Sequence, residues 1–452
     1  MIRVPLILLI LQAVIIMSLV ACTPVVVGKP ARQVGSHQAD SGAQVYDEAM
    51  VINWNERVLA VAEAEDHFLT LKGVRAAAMM HVAMHDALNS IHPKYAQYAY
   101  RADESDASPL AAAAQAAYEV AASQYPRRKT VWTEELQKCL DTEQDQIAKA
   151  KGIALGRAAA KAILKRRAND HWDAEAKYHW HPMAPGVYAE FNEHSGTPKG
   201  FIFGAGWSKM KPFMLATAEQ FRAPPPPPIG SRRYTAAFNE VKEVGRYASG
   251  SRTPDQTHLA MWWKEFVESS HNRLAREIAT REGSDLWDSA KLLALLNMSI
   301  TDAYISVFDS KFFYNHWRPY TAIRWAAHDG NPDTLPDSQW ENAHRHTYAF
   351  PSYPSAHGAA SGAAMTILGK TFGDRYTFTM TTPEVEQAGP LSPKVRMVPP
   401  TRSFTSFSGA AHECALSRVY LGIHFRYDSE QGEQLGKKVG TYGWDHNLQS
   451  TE

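Results

Sequence analysis

The sequence predicts an all-α protein of two packed helical bundles. Three observations carry that expectation. Apolar residues recur at helical spacing through most of the chain after Tyr46, and strand-like alternation is nearly absent. The 452 residues, 45% of them hydrophobic, also exceed what one core normally organises. The 47 basic and 47 acidic residues cancel, which leaves no electrostatic footprint for a nucleic acid partner. Twelve Trp, 19 Tyr and 17 Phe promise an aromatic-rich core.

Residues 1–21 read as a signal peptide. Arg3 gives a positive start, and Val4 to Val20 is almost wholly apolar. Leu19-Val20-Ala21-Cys22 resembles a bacterial lipobox, which would make Cys22 the lipidated N-terminus. The expectation is an exported protein of the bacterial cell envelope, lipid-anchored and periplasm-facing. Residues 22–47 are polar and read as a disordered tether. Cys139 and Cys414 remain, and their spacing does not decide whether they pair.

Residues 48–228 form the first unit. Arg75 to Ile91 is apolar at helical spacing, Ser108-Pro109 reads as a cap and first turn, and Ile147 to Ile163 gives a further helix. Lys165-Arg166-Arg167 suits the negative end of that helix. His81 and His85 share a helix face beside Asp86, a spacing that zinc accepts. Val82-Ala83-Met84 between them lacks the glutamate of a metalloprotease helix, so a packing role is expected. Residues 170–230 are irregular and aromatic and end in five prolines, Pro224 to Pro228, read as a semi-rigid connector.

Residues 229–447 form the second unit. Thr253-Pro254-Asp255 is a helix start, and Asp285 to Lys311 is one long helix. Residues 325–350 read as a loop in which His344, Arg345 and His346 are solvated, in preference to a reading in which they line an entrance. Thr381 to Phe407, with five prolines, reads as a second loop over the site. Ser408 to Leu421 and Asp428 to Trp444 are the closing helices. His412 and Glu413 lie in the turns before the last motif, with no spacing that forces them inward.

Three polar motifs interrupt this apolar pattern. Lys311 and Arg318 are seven residues apart, two helical turns, so both should project from one face before Pro319 ends the helix. Ser355 precedes the small-residue run from Gly358 and reads as its N-cap. The amides of Ala356 and His357 then point out of the positive helix end, which favours an anion. Arg418 and His424 do not share a helix face, but Gly422 between them allows a break that turns both inward. Asp428, four residues beyond His424, can hold its imidazole in one tautomer. Asp302 and Asp309, two turns apart on the long helix, are candidates to pair with Arg318 or Arg418, against a reading as surface charges. Three fixed cations, a hydroxyl, helix-end amides and two histidines suit a tetrahedral or trigonal-bipyramidal oxyanion. One histidine can bond its central atom while the other moves a proton.

Lys311-x6-Arg318-Pro319, Pro354-Ser355-Ala356-His357 and Ser417-Arg418-x5-His424-x3-Asp428 together resemble the signature of the vanadium haloperoxidase and type 2 phosphatidic acid phosphatase superfamily. The first helices and the Trp207, Pro212-Phe213 and proline-rich stretch resemble its bacterial haloperoxidase-like branch, from about residue 48 to 447. The resemblance implies that Lys311, Arg318, Ser355, the Ala356 amide and Arg418 hold the equatorial oxygens of vanadate. It also implies that His357 is the general acid/base, that His424 is the axial vanadate ligand, and that Lys311 activates the bound oxidant. Ala356 stands where the family usually has glycine, and would be strained if its φ were positive. The implied activity is a vanadate-dependent haloperoxidase-like oxidoreductase in which hydrogen peroxide oxidises halide for an organic acceptor. The alternative is an acid phosphatase in which His424 attacks a phosphomonoester to form a phosphohistidine. The long gap between His357 and Ser417 favours the first. A third reading, a non-catalytic oxyanion-binding lipoprotein, does not require two histidines.

Overall fold

Small residues decide how closely the helices of the first half pack. The computed structural model describes residues 49–189 and 194–451, so the leader, the tether and Cys22 lie outside the described residues. Five helices open the fold: α1 (Ala49–Asp66), α2 (Lys72–Asn89), α3 (Pro109–Gln124), α4 (Lys129–Thr142) and α5 (Gln146–Arg166). Ser108 caps α3 as expected, accepting the Ala111 amide. Every residue of α2 beyond Lys72 is buried. His81 faces Asn55 (Nε2 to Nδ2, 3.0 Å) whereas His85 faces the Ala96 carbonyl (3.1 Å). The two imidazoles therefore serve different packing contacts.

The second half comprises α6 (Arg232–Val244), α7 (Pro254–Trp262), α8 (Val267–Glu282), α9 (Leu286–Tyr314), α10 (Pro319–Trp325), α11 (Ala356–Phe372), α12 (Phe407–Tyr420) and α13 (Arg426–His446). Thr253 and Gln256 form a reciprocal capping box at the start of α7. The 29-residue α9 is apolar and long enough to cross a membrane, but nearly all of that surface is buried by protein. It packs against α2 on one side and α11 and α13 on the other. One hydrophobic cluster consequently runs from α1 to α13 through both halves. A smaller cluster around Trp317, Tyr353 and Phe425 lies beside the third polar motif. α11 and α13 approach at backbone distance: a Cβ on Gly436 would sit 2.0 Å from the Ala359 carbonyl.

The segment read as a proline-rich loop contains two short antiparallel pairs. β1 (Phe378–Thr381) pairs with β4 (Thr401–Phe404), Phe378 opposite Phe404, and β2 (Glu384–Glu386) pairs with β3 (Lys394–Arg396). Three or four residues are too few for a period of two to register in sequence, although β1 does alternate buried and exposed. Cys139 and Cys414 are both free thiols.

Candidate active site

Lys311 and Arg318 meet by a route different from the expected one. α9 ends at Tyr314, where Asn315 takes a left-handed conformation at φ 49°, and Arg318 is the extended N-cap of α10 ahead of Pro319. The two cations do not share a helix face. They converge because both grip segment 350–352. Lys311 Nζ donates to the carbonyls of Pro351 (3.0 Å) and Ser352 (2.7 Å), and Arg318 Nε donates to that of Phe350 (2.9 Å). Both side chains are fully buried. Burial, then the neighbouring Arg318, pushes the Lys311 ammonium well below its ordinary range. Such a group gains from an anion beside it.

Ser355 caps α11, its Oγ accepting the Gly358 amide at 3.3 Å. The amides of Ala356 and His357 open the helix, where no intrahelical acceptor exists for them. Ala356 has no positive φ, so a methyl group here carries no backbone strain. Burial, then Arg418, keeps the His357 imidazole neutral, and its Nε2 is buried without a hydrogen-bond partner.

Gly422 makes the third motif possible. Its φ is 78°, and an added Cβ would lie 2.3 Å from the Gly245 carbonyl. The reversal ends α12 and lets Arg418 and His424 face one cavity. Arg418 is steadied by the Trp263 carbonyl (Nη1, 3.1 Å). His424 Nδ1 lies 3.0 Å from Asp428 Oδ2, which also accepts the Phe425 amide (3.1 Å). Nδ1 thus carries the proton, and the Nε2 lone pair faces Arg318 Nη1 at 3.2 Å. Burial, then Arg318 and Lys311, holds His424 neutral. Burial pushes Asp428 up to about 7 while Lys311 pulls it down. The two N–H groups aimed at Oδ2 require an acceptor, which the carboxylate supplies.

A cavity of about 500 Å³ opens onto this cluster. Ala356, His357, Arg418 and His424 line its polar end, and Phe203, Trp207, Phe266, Tyr304, Phe308 and Phe350 form much of the rest. Lys311, Arg318, Ser355 and Asp428 are fully buried around that end.

Several expectations are corrected. Asp302 reaches neither arginine of the site: it accepts the amides of Phe213, Met214 and Leu215. Asp309 makes a two-pronged ion pair with Arg222. Helical spacing placed both on α9 but not on the face towards the cluster. His346 lines the cavity and His344 is fully buried, so of the supposedly solvated trio only Arg345 is exposed, stacked over Tyr247. His412 turns to Glu433, and Glu413 to Arg402 and Trp263. The supposed connector supplies cavity wall through Ser195–Thr197 and Phe201–Trp207, and Glu268 on α8 is an acid in the cavity that the motifs did not reveal. Its aromatic density was the available signal in the connector; for Glu268 there was none.

The donor chemistry fits a compact oxyanion. Three cations, helix-end amides and one oriented imidazole lone pair meet, and among the described residues of this cluster Arg318 Nη2, His357 Nε2 and Asp428 Oδ1 are buried without protein partners. A model of the VCPO second helical-bundle domain matches residues 291–452, the stretch that holds all three motifs. The chain is similar to the vanadium chloroperoxidase of Curvularia inaequalis, 24% identical over 280 residues, which is 48% of this chain and 44% of that protein's length. Its fold is similar to that of a bacterial vanadium-dependent iodoperoxidase (TM-score 0.72, 23% identity, covering 92% of this chain and all of the other). A holo-type bacterial vanadium-dependent chloroperoxidase shares it too (TM-score 0.64, 16% identity, 83% and 91% covered). Residues 291–452 thus match the VCPO second helical-bundle domain, and the fold of the chain is that of the bacterial vanadium haloperoxidases.

Proposed function

We propose that the protein is a vanadate-dependent haloperoxidase that uses hydrogen peroxide to oxidise halide. The observation that carries the reading is the orientation of His424. Asp428 accepts the hydrogen bond of the Nδ1–H, so a lone pair on Nε2 is aimed into a cluster of three cations. Lys311, Arg318, Ser355, the Ala356 amide, Arg418 and His424 Nε2 would hold vanadate. Bound vanadate would supply the Lewis acidity that activates peroxide towards halide.

The chain's own residues have definite tasks. Lys311, Arg318 and Arg418 offset the anion's charge, and backbone carbonyls already hold each of them, so little reorganisation accompanies binding. Lys311 is also the cation poised to polarise the bound oxidant. His357, neutral at the positive end of α11, can take a proton at Nε2 and return it. The aromatic walls limit water beside the site. A lipid anchor at Cys22 would tether the enzyme to the bacterial envelope.

The test is to load purified protein with orthovanadate and assay bromide oxidation by peroxide beside hydrolysis of an aryl phosphate. Bromide oxidation that tracks vanadate loading is expected, and His424→Ala should abolish it. Phosphatase activity that vanadate inhibits, with no bromide oxidation, would transfer the site to phosphomonoester hydrolysis.

A further inference from the structure

The cavity is far larger than halide oxidation requires. A water-sized reactant occupies about 30 Å³, against about 500 Å³ here. That volume lies in the range of sites for organic molecules, and its walls are largely aromatic.

One group in those walls is out of place by composition. Glu268, in the first turn of α8, lines the cavity and is only 3% exposed. Among the described residues no Lys, Arg or His comes within ion-pair distance of it. Its side-chain partner is the Tyr304 hydroxyl, which donates to Oε2 at 3.1 Å and so spends its only proton there. Burying a carboxyl without a cation is costly, and burial pushes this one up to about 7. A donor arriving from the cavity would offset that cost.

We propose that this cavity binds a neutral aromatic molecule that donates an N–H or O–H to Glu268 and presents its ring beside the oxyanion site. The proposal rests on the haloperoxidase reading for what happens to that molecule, though not for its binding. Neutrality follows from the field. Lys311, Arg318 and Arg418 stand at the polar end against Asp428, a net positive charge that disfavours an ammonium ligand. An aromatic ligand instead matches walls such as Phe266, Trp207 and Phe308. Reaction there would replace a ring C–H by C–halogen, the displaced proton joining the oxygen of a hypohalous acid equivalent to leave as water.

The experiment is calorimetric titration of the purified full chain, without vanadate or peroxide, with 2-naphthol and with 2-methoxynaphthalene. These differ by one donated proton. The wild type should bind 2-naphthol about tenfold more tightly, the effect of one hydrogen bond to a carboxyl. Glu268→Leu should erase that preference, and Glu268→Gln, which keeps an acceptor, should retain part of it. Circular dichroism checks that each variant is folded. Equal binding of both probes, binding of neither, or a preference that survives in folded Glu268→Leu overturns the proposal. Bromide oxidation by the vanadate-loaded wild type is scored separately. Its absence alongside the naphthol preference removes the oxidative reading and leaves the pocket, and its presence without probe binding does the reverse.

Discussion

Replacing Asp428 by Asn isolates the carboxylate charge behind His424. The carboxylate accepts two N–H groups on Oδ2, the His424 Nδ1–H at 3.0 Å and the Phe425 amide at 3.1 Å. Asn can accept both N–H groups through its carbonyl oxygen in the place of Oδ2, with its NH₂ in the place of Oδ1, so the Nδ1–H tautomer is kept. What is lost is the negative charge that strengthens the Nδ1–H bond and raises the basicity of Nε2, whose lone pair faces Arg318 Nη1 at 3.2 Å. Loss of a ligand's supporting carboxylate costs about 10–100-fold at a metal site, so vanadate affinity should fall by roughly that factor. The assay is calorimetric titration of wild type and variant with orthovanadate, with thermal melts to establish that the variant is folded. A folded Asp428→Asn protein whose affinity lies within about threefold of wild type would refute the role given to the carboxylate charge.

Three further outcomes are expected. Gly422→Ala forces a β-carbon into a left-handed turn and against the Gly245 carbonyl; it should lose about 2 kcal/mol or more in urea unfolding and weaken vanadate binding, and unchanged stability would dismiss the turn's role. Asp302→Ala strips three buried amides of their acceptor, so it should destabilise by about 3 kcal/mol or more while vanadate affinity moves less than threefold. A tenfold loss of affinity would return Asp302 to the site. The melting temperature should fall from pH 7 to pH 5. His81, His271 and His316 are held down to about 3, His85 and His346 to about 4, and His344, His357 and His424 well below their ordinary value, all mainly by burial. The unfolded chain therefore takes up protons below about 6.5 that the folded one refuses, and stability rises with pH. Asp86 and Asp302, raised to about 6, and Glu268 and Asp428, raised to about 7, contribute the opposite slope, but the histidines outnumber them. A melting temperature that is flat or higher at pH 5 would contradict this balance.

Much of the site was legible because its parts depend on short-range backbone rules. Ser355 before a small-residue run is a cap wherever that helix sits, and Gly422 marks a reversal because other residues resist φ 78°. His424 and Asp428 pair across one helical turn of sequence. The errors arose where spacing was extended beyond one element. Lys311 and Arg318 were read on a single helix, yet the chain leaves α9 at Asn315, and both are brought together by segment 350–352. Asp302 and Asp309 have the helical register of the site helix but face other partners.

The sequence alone determined the helical class, the three polar motifs whose side chains meet at one cluster and the tautomer of one imidazole. Each follows from local periodicity, capping or a contact within one turn. Only the tertiary structure decided which residues wall the cavity. Phe203 and Trp207 from the connector, Glu268 from α8, Tyr304 from α9 and His346 from a loop meet there through packing between segments far apart in the chain. The physical reason is that side-chain direction at such distances is set by how helices dock, and no spacing along the chain encodes it.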